Sequence, residues 1–147
     1  MKKLLIVLLI TTSGSLFAQS SPENLINDFF VTYEKDAGKA VKDLYATNKW
    51  TERIKDGIAN IVSSVNGFTE SYMGKYYGYE LITKKKFSES FVLYSYLVKY
   101  DRQPLRFTFK FYKANDKWTL NSFSFDDSFG HEIEEAAKLY YLNLSDK

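Results

Sequence analysis

Residues 91–111, FVLYSYLVKYDRQPLRFTFKF, determine which fold this chain adopts. On either side of the polar DRQP stretch, every second residue is apolar, which is the period of a β-strand with one buried face. The pattern predicts an antiparallel hairpin with Arg102-Gln103 as a two-residue loop. This register places Tyr100 opposite Leu105, and the remaining apolar residues then pair in step on one face.

Two further strands are predicted around this hairpin. The apolar residues of WTLNSFSF, residues 118–125, change parity midway along the segment. A one-residue bulge near Asn121-Ser122 returns them all to one face, and bulges bend strands. An earlier strand, residues 76–84, contains Gly78, which marks a second bulge or a close backbone approach. The sequence therefore predicts a curved sheet of four antiparallel strands.

Helical periodicity occupies the first half of the chain and returns at its end. Ser21, Pro22 and Glu23 combine a capping side chain, a proline suited to a first turn and an acid that complements the helix dipole. Three-to-four spacing of apolar residues then predicts three helices before the strands. A last helix, capped by Asp127-Ser128, is expected to turn these side chains inward: Phe129, Ile133, Ala136, Ala137 and Tyr140. The predicted fold class is α+β, with N-terminal helices packed on a curved four-stranded antiparallel sheet, plus a C-terminal helix.

The first residues have the features of an export signal. Residues 1–18, MKKLLIVLLITTSGSLFA, combine two lysines, a short apolar run and small Ala18 at the predicted cleavage site. The apolar run is shorter than the roughly 20 residues of a membrane span, so no membrane anchor is expected. Residues 19–147 are predicted to form a single domain that is periplasmic or secreted.

Composition limits the partners of this domain. Once the two lysines of the leader are left out, basic and acidic side chains are equal in number, which argues against a nucleic-acid partner. Cysteine is absent, so no disulfide and no lipid-modified thiol is expected. With a single histidine, His131, in the first turn of an acid-rich helix, neither a metal site nor a cofactor is expected.

The order of elements resembles a known superfamily. Helices followed by a curved antiparallel meander that ends in W-x-L-x-x-F-x-F, residues 118–125, are similar to the nuclear transport factor 2-like superfamily, whose members have a cone-shaped fold. The resemblance implies a small secreted bacterial domain with a pocket between the helices and the concave face of the sheet. The chain departs from common members by its extra helix after the last strand.

Aromatic side chains are the expected lining of this pocket. Twelve tyrosines are unusual in so short a chain, and a flat ring with a polar tip suits sugars, small aromatic ligands and protein interfaces. The predicted function is therefore noncatalytic binding, either of a small ligand in the pocket, an apolar or aromatic molecule or a sugar, or of a protein partner on the sheet. The predicted ligand-binding residues are Tyr77, Tyr79, Glu80, Tyr96, Arg106, Phe109 and Trp118.

Two alternatives stay open from the sequence. The first is a small isomerase, dehydratase or hydrolase in which Glu80 or Asp126 transfers a proton, because an acid in aromatic surroundings can have a raised pKa. The second is a homodimer formed through the outer face of the sheet. Basic residues concentrate in the segment 73–117 and acidic residues in 118–147, an asymmetry that could join sheet to helix or subunit to subunit.

Overall fold

The computed structural model describes residues 20–142, with side chains up to Lys138. The predicted signal peptide lies outside the described residues. Within the described range, no helix is long and apolar enough to cross a membrane. The elements in chain order are α1 (Pro22–Tyr33), α2 (Ala37–Ala46), a 3₁₀ helix (Lys49–Ile54), α3 (Lys55–Asn66), α4 (Glu70–Met73), β1 (Tyr76–Ser88), β2 (Phe91–Tyr100), β3 (Leu105–Lys113), β4 (Trp118–Asp126) and α5 (Phe129–Leu142).

The four strands form one antiparallel sheet in the order β1-β2-β3-β4. The predicted fold class is confirmed: helices come first, then the sheet, then a C-terminal helix. Alternation sorts the strand side chains into two faces. The inner face is apolar and buried, and its central members are Val92, Tyr94, Tyr96, Val98, Leu105, Phe107, Phe109 and Phe111. The outer face carries Leu93, Ser95, Leu97, Arg106, Thr108 and Lys110.

Helix α1 closes the inner face. Its start is the predicted one, because the Ser21 hydroxyl accepts a hydrogen bond from the backbone N–H of Asn24 at 3.2 Å. Phe29 and Phe30 then project onto the sheet. The ring of Phe29 lies edge-on to that of Phe109, with centroids 5.1 Å apart, and this offset geometry is the favoured one for aromatic pairs. Helix α2 packs beside α1 and adds its own buried side chains to the same core.

Both predicted bulges are present. Lys110 pairs with Ser122 while Phe111 pairs with Leu120, so Asn121 is the extra residue. In β1 the pairing shifts around Gly78, whose φ is +91°, a value that favours glycine. Two more shifts, at Ile82 and Phe87, were not predicted. Bulges increase twist and bend the strands, which curves the sheet.

The register of the central hairpin differs from the predicted one by two residues. Leu105 pairs with Val98 and not with Tyr100. The end of β2 is held instead by the residue before β1. The backbone N–H of Asp101 donates to the carbonyl of Lys75 at 3.1 Å, and the Asp101 carboxylate accepts from the backbone N–H of Lys75 at 2.8 Å. Because the shift is even, each side chain keeps its predicted face.

The helices differ from prediction at two places. The third predicted helix is interrupted at Ile54, where the 3₁₀ turn gives way to α3, and Trp50 is exposed. The C-terminal helix is present, but its apolar side is not turned inward: Ile133 is 68% exposed, and Ala136 and Ala137 are exposed as well. The amphipathic spacing predicted a helix correctly and the burial of Ile133, Ala136 and Ala137 wrongly, since the described part of the chain places no surface against them. Phe129 is half-buried, and the side chain of Tyr140 lies outside the described residues.

Candidate functional site

The structure separates the seven predicted ligand-binding residues into four places. Phe109 and Tyr96 belong to the core, where Phe109 is fully buried and Tyr96 packs edge-on against it at 6.0 Å between centroids. The space between α1 and the inner sheet face, in which the resemblance implies a pocket, is filled here by rings. Phe29, Phe30 and Phe107 occupy it together with these two.

Glu80 and Arg106 lie on the outer face of the sheet. The carboxylate of Glu80 accepts a hydrogen bond of 2.7 Å from the ammonium group of Lys99, which lies on the neighbouring strand β2. Arg106 binds both carboxylate oxygens of Asp126, at 2.7 and 3.0 Å, and both of Glu132 in α5, at 2.8 and 2.6 Å. This bidentate geometry is the strongest that arginine makes with carboxylates, and it ties sheet to helix.

The pairing also fixes the charge of Asp126. Partial burial by itself would raise the pKa of Asp126, but hydrogen bonds from Arg106 and from the backbone N–H of Ser128 outweigh it and lower the pKa. A carboxylate held in this way stays ionised, and both of its oxygens already accept hydrogen bonds. His131 is 77% exposed in the first turn of α5, as predicted, with Glu135 at 3.9 Å. Among the described residues no group of three metal-ligating side chains converges.

Trp118 lies at the far end of the sheet, in a depression of about 260 Å³ beside the start of α1. The ammonium group of Lys113 lies over its ring at 5.1 Å. In the same depression Glu23 accepts from Lys84 at 2.7 Å and from the hydroxyl of Tyr94. Its polar groups are therefore engaged with one another, and they fasten α1 to β1 and β2.

Tyr77 and Tyr79 lie at the opposite end, on the edge strand β1. There two adjoining depressions, of about 270 and 320 Å³, share Tyr76 and Glu34 in their linings. We call this surface the tyrosine groove and define it by Tyr33, Glu34, Tyr76, Tyr77, Tyr79 and Tyr100. The sequence indicated Tyr77 and Tyr79 but missed the other members, which lie in three different elements.

The groove exposes two aromatic rings at the surface, and the ammonium group of Lys75 lies over the ring of Tyr77 at 5.5 Å. Tyr77 is 54% exposed and Tyr79 is 36% exposed. Tyr79 is held flat by stacking on Phe30, with centroids 3.6 Å apart and planes 9° apart. Exposed Val31 continues the apolar surface on α1. A ring that is already held by stacking on the core, as Tyr79 is, loses little side-chain entropy when a ligand packs on its exposed face.

Hydroxyls and charges surround these rings. Tyr33 and Tyr100 share a hydrogen bond of 2.7 Å. Burial raises the pKa of Tyr76, helped by its neighbours Tyr100 and Glu34, and burial likewise raises the pKa of Tyr33. Hydrogen bonding and the charge of Asp101 raise the pKa of exposed Tyr77. Tyrosines with raised pKa values keep their protons at physiological pH, so each hydroxyl can both donate and accept.

Two glycines shape the rim of the groove. Gly78 separates Tyr77 from Tyr79 at the bulge. Gly74, at φ +78°, brings the chain so close to Asp101 that an added Cβ would lie 2.4 Å from the Cβ of that residue. Both positions need glycine, because L residues rarely adopt this backbone conformation. Gly78 was visible in the sequence as a bulge, whereas nothing in the local pattern indicated the contact at Gly74.

Comparison with known proteins leaves the groove as the main basis for a functional argument. No family model matches the chain, and neither a curated protein nor a solved structure shows significant similarity to it.

Proposed function

We propose that the protein is a noncatalytic binding domain whose tyrosine groove takes a neutral carbohydrate. The observation that carries this proposal is the sharing of Tyr76 and Glu34 by two adjoining depressions. A ligand made of consecutive similar units, each with an apolar C–H face and a hydroxyl rim, fits two such adjacent sites. Sugar rings pack their C–H faces on aromatic rings and bond their hydroxyls to carboxylates and tyrosines.

The charges around the groove favour a neutral ligand. Glu34 and Glu70 contribute two negative charges to its lining, against one positive charge from Lys75. An anionic ligand would be repelled by this balance, and a purely apolar one would strip water from the carboxylates without replacing their hydrogen bonds. A polyol supplies donors for the carboxylates and an acceptor for the lysine.

The protonated state of the groove tyrosines favours ligand binding over catalysis. The pKa values of Tyr33, Tyr76 and Tyr77 are all raised, away from the physiological range in which a general acid or base works best. The carboxylates of the enzyme alternative, Glu80 and Asp126, are engaged with Lys99 and Arg106 on the outer face and line neither depression. We therefore favour binding over the isomerase, dehydratase or hydrolase alternative.

The proposal includes export and a nuclear transport factor 2-like ancestry. Export is supported by the charged and apolar pattern of residues 1–18, with cleavage near Ala18. Ancestry is supported by the order of helices and curved sheet. In this interpretation the binding surface has moved from the closed space under the sheet to the edge of β1.

Calorimetric titration of residues 19–147 with a panel of neutral oligosaccharides tests the proposal. We expect binding to at least one member, with the sugar recovered unchanged, and about tenfold weaker binding by Tyr77→Ala, which corresponds to about 1.4 kcal/mol. Tyr112→Ala is the matched control, because Tyr112 is similarly exposed but lies on the outer face. Equal weakening by both variants, or no binding to any neutral oligosaccharide, would contradict the proposal.

A further inference from the structure

Beyond Phe129, which is half-buried, the apolar side of helix α5 is not covered by any described residue. Phe129, Ile133, Ala136 and Ala137 recur at the spacing of one helical face, yet every described side chain from His131 to Lys138 is exposed. Among the described side chains, the bonds that tie α5 to the sheet lie in its first turn, where Glu132 pairs with Arg106. A helix of 14 residues gains most of its stability from packing an apolar face, so this one is incomplete as it stands.

The outer face of the sheet is likewise uncovered by α1, which packs on the inner face, and by α5. Its centre is Leu93 and Leu97, both half-buried, with exposed Tyr112 on the same face of β3. Between the two leucines, Ser95 is only 5% exposed, and its hydroxyl has no hydrogen-bond partner among the described residues.

The two surfaces carry opposite charges. Lys85, Lys99 and Lys110 project from the outer face of β1, β2 and β3, and Glu80 on the same face pairs with Lys99, which leaves Lys85 and Lys110 as the excess positive charge of these four residues. Helix α5 carries Glu134 and Glu135 beside its apolar residues, both exposed, and although Lys138 pairs with Glu135, its described acidic residues outnumber this one lysine. Complementary charges at the rim of an apolar contact set its orientation and exclude wrong partners.

We propose that the occupant of the outer face is helix α5 of a second copy of this chain, exchanged reciprocally. Ile133, Ala136 and Ala137 of one copy lie on Leu93 and Leu97 of the other. The glutamates of α5 meet the lysines of the outer face. A 14-residue helix is about 21 Å long, enough to cross four strands spaced by about 4.8 Å.

Exchange between two copies explains why α5 stands exposed on its own chain. The Arg106 pairing holds the first turn of α5 at the rim of the sheet, and the exposed residues beyond it show that the helix does not fold back. Two such helices related by a two-fold axis cover two sheets at once, and a closed symmetric pair leaves neither surface free.

Charge reversal tests this pairing, with sedimentation equilibrium of residues 19–147 as the readout. The sheet variant is Lys85→Glu/Lys110→Glu, and the helix variant is Glu134→Lys/Glu135→Lys. We expect the wild type to dimerise and each variant alone to dimerise at least about tenfold more weakly, because like charges then oppose each other. An equimolar mixture of the two variants restores the dimer, since one interface regains opposite charges and the other is of wild-type composition.

The matched control is Lys35→Glu/Lys42→Glu, which reverses two exposed lysines in the helical half and should leave the dimer unchanged. Circular dichroism checks that every variant is folded. A monomeric wild type would overturn the proposal. So would a helix variant that dimerises like the wild type, as expected if two sheets packed face to face, or a mixture that stays monomeric.

Discussion

The hydroxyls of Tyr33 and Tyr100 lie 2.7 Å apart and join α1 to the end of β2 beneath the tyrosine groove. Tyr33 is buried and Tyr100 is half-buried, so water cannot readily replace either partner. Burial raises the pKa of Tyr33, and the nearby Tyr100 raises it further. The pair therefore acts as a neutral hydrogen bond that sets the position of the groove on the core.

Replacing one member of this pair should destabilise the fold more than replacing both. Tyr100→Phe leaves the Tyr33 hydroxyl buried without its partner, which should lower the free energy of unfolding by about 1 to 2 kcal/mol. The double change Tyr33→Phe/Tyr100→Phe removes the unmatched group and should recover part of that loss. Urea unfolding with unchanged m-values measures both effects. Losses that simply add in the double variant would mean that the bond does not couple the two sites.

Gly78 should resist substitution because of its backbone and not for lack of space. An added Cβ would touch nothing within 4 Å, yet φ is +91°. Gly78→Ala should therefore cost about 1 kcal/mol of stability and weaken sugar binding by moving Tyr77 and Tyr79 apart. Gly57→Ala is the control, since Gly57 is exposed within α3, also with open space, and should gain about 0.5 to 1 kcal/mol. A neutral Gly78→Ala would show that the bulge does not depend on glycine.

Arg106 should fasten the start of α5. Arg106→Gln removes the bidentate contacts to Asp126 and Glu132, so amide exchange in residues 129–132 should accelerate by about tenfold while the β2 amides stay protected. The comparison is Lys39→Gln, which removes an exposed pair with Asp43 and should have little effect on stability. Unchanged exchange at the start of α5 would mean that packing alone holds the helix to the sheet.

Glu23 should contribute to acid unfolding. Its partial burial would raise its pKa, but hydrogen bonds from Lys84 and Tyr94 prevail and lower the pKa from 4.5 to about 2. A carboxyl whose pKa is lower in the folded state stabilises it above pH 4.5, and this contribution is lost as the pH falls toward 2. Glu23→Gln should therefore flatten the decline of stability over that interval. If the free energy of unfolding fell equally steeply with decreasing pH in the wild type and the variant, this assignment would be contradicted.

Alternation in residues 91–111 was enough to predict the inner face, because side-chain direction in a strand depends only on parity. Alternation could not predict the register of the hairpin. The register depends on a hydrogen bond from the backbone N–H of Lys75, which lies outside the hairpin, to the carboxylate of Asp101. The bulge at Asn121 was predictable because it restored a broken pattern. Those at Ile82 and Phe87 interrupt a strand with little alternation of its own, so no break in the pattern marked them.

The candidate site was harder to predict than the fold for a related reason. Tyr79 and Phe109 look equivalent in sequence, since both are aromatic residues of a strand. Phe109 lies in a central strand under α1, whereas Tyr79 lies at the edge, where the helix covers only one side of its ring. Burial depends on what the rest of the chain places above a residue, and for Ile133 in α5 the described chain places nothing.

The central claim is that neutral sugar binds at the edge of β1, and NMR of the tyrosine rings tests it most directly. The protein, labelled at its tyrosine side chains, is titrated with the oligosaccharide that gives the largest heat of binding. We predict concentration-dependent shifts for Tyr76, Tyr77 and Tyr79, with Tyr112 on the outer face unmoved. Shifts confined to Tyr112 or to Tyr94 beside Trp118, or no shift at saturating sugar, would contradict the claim.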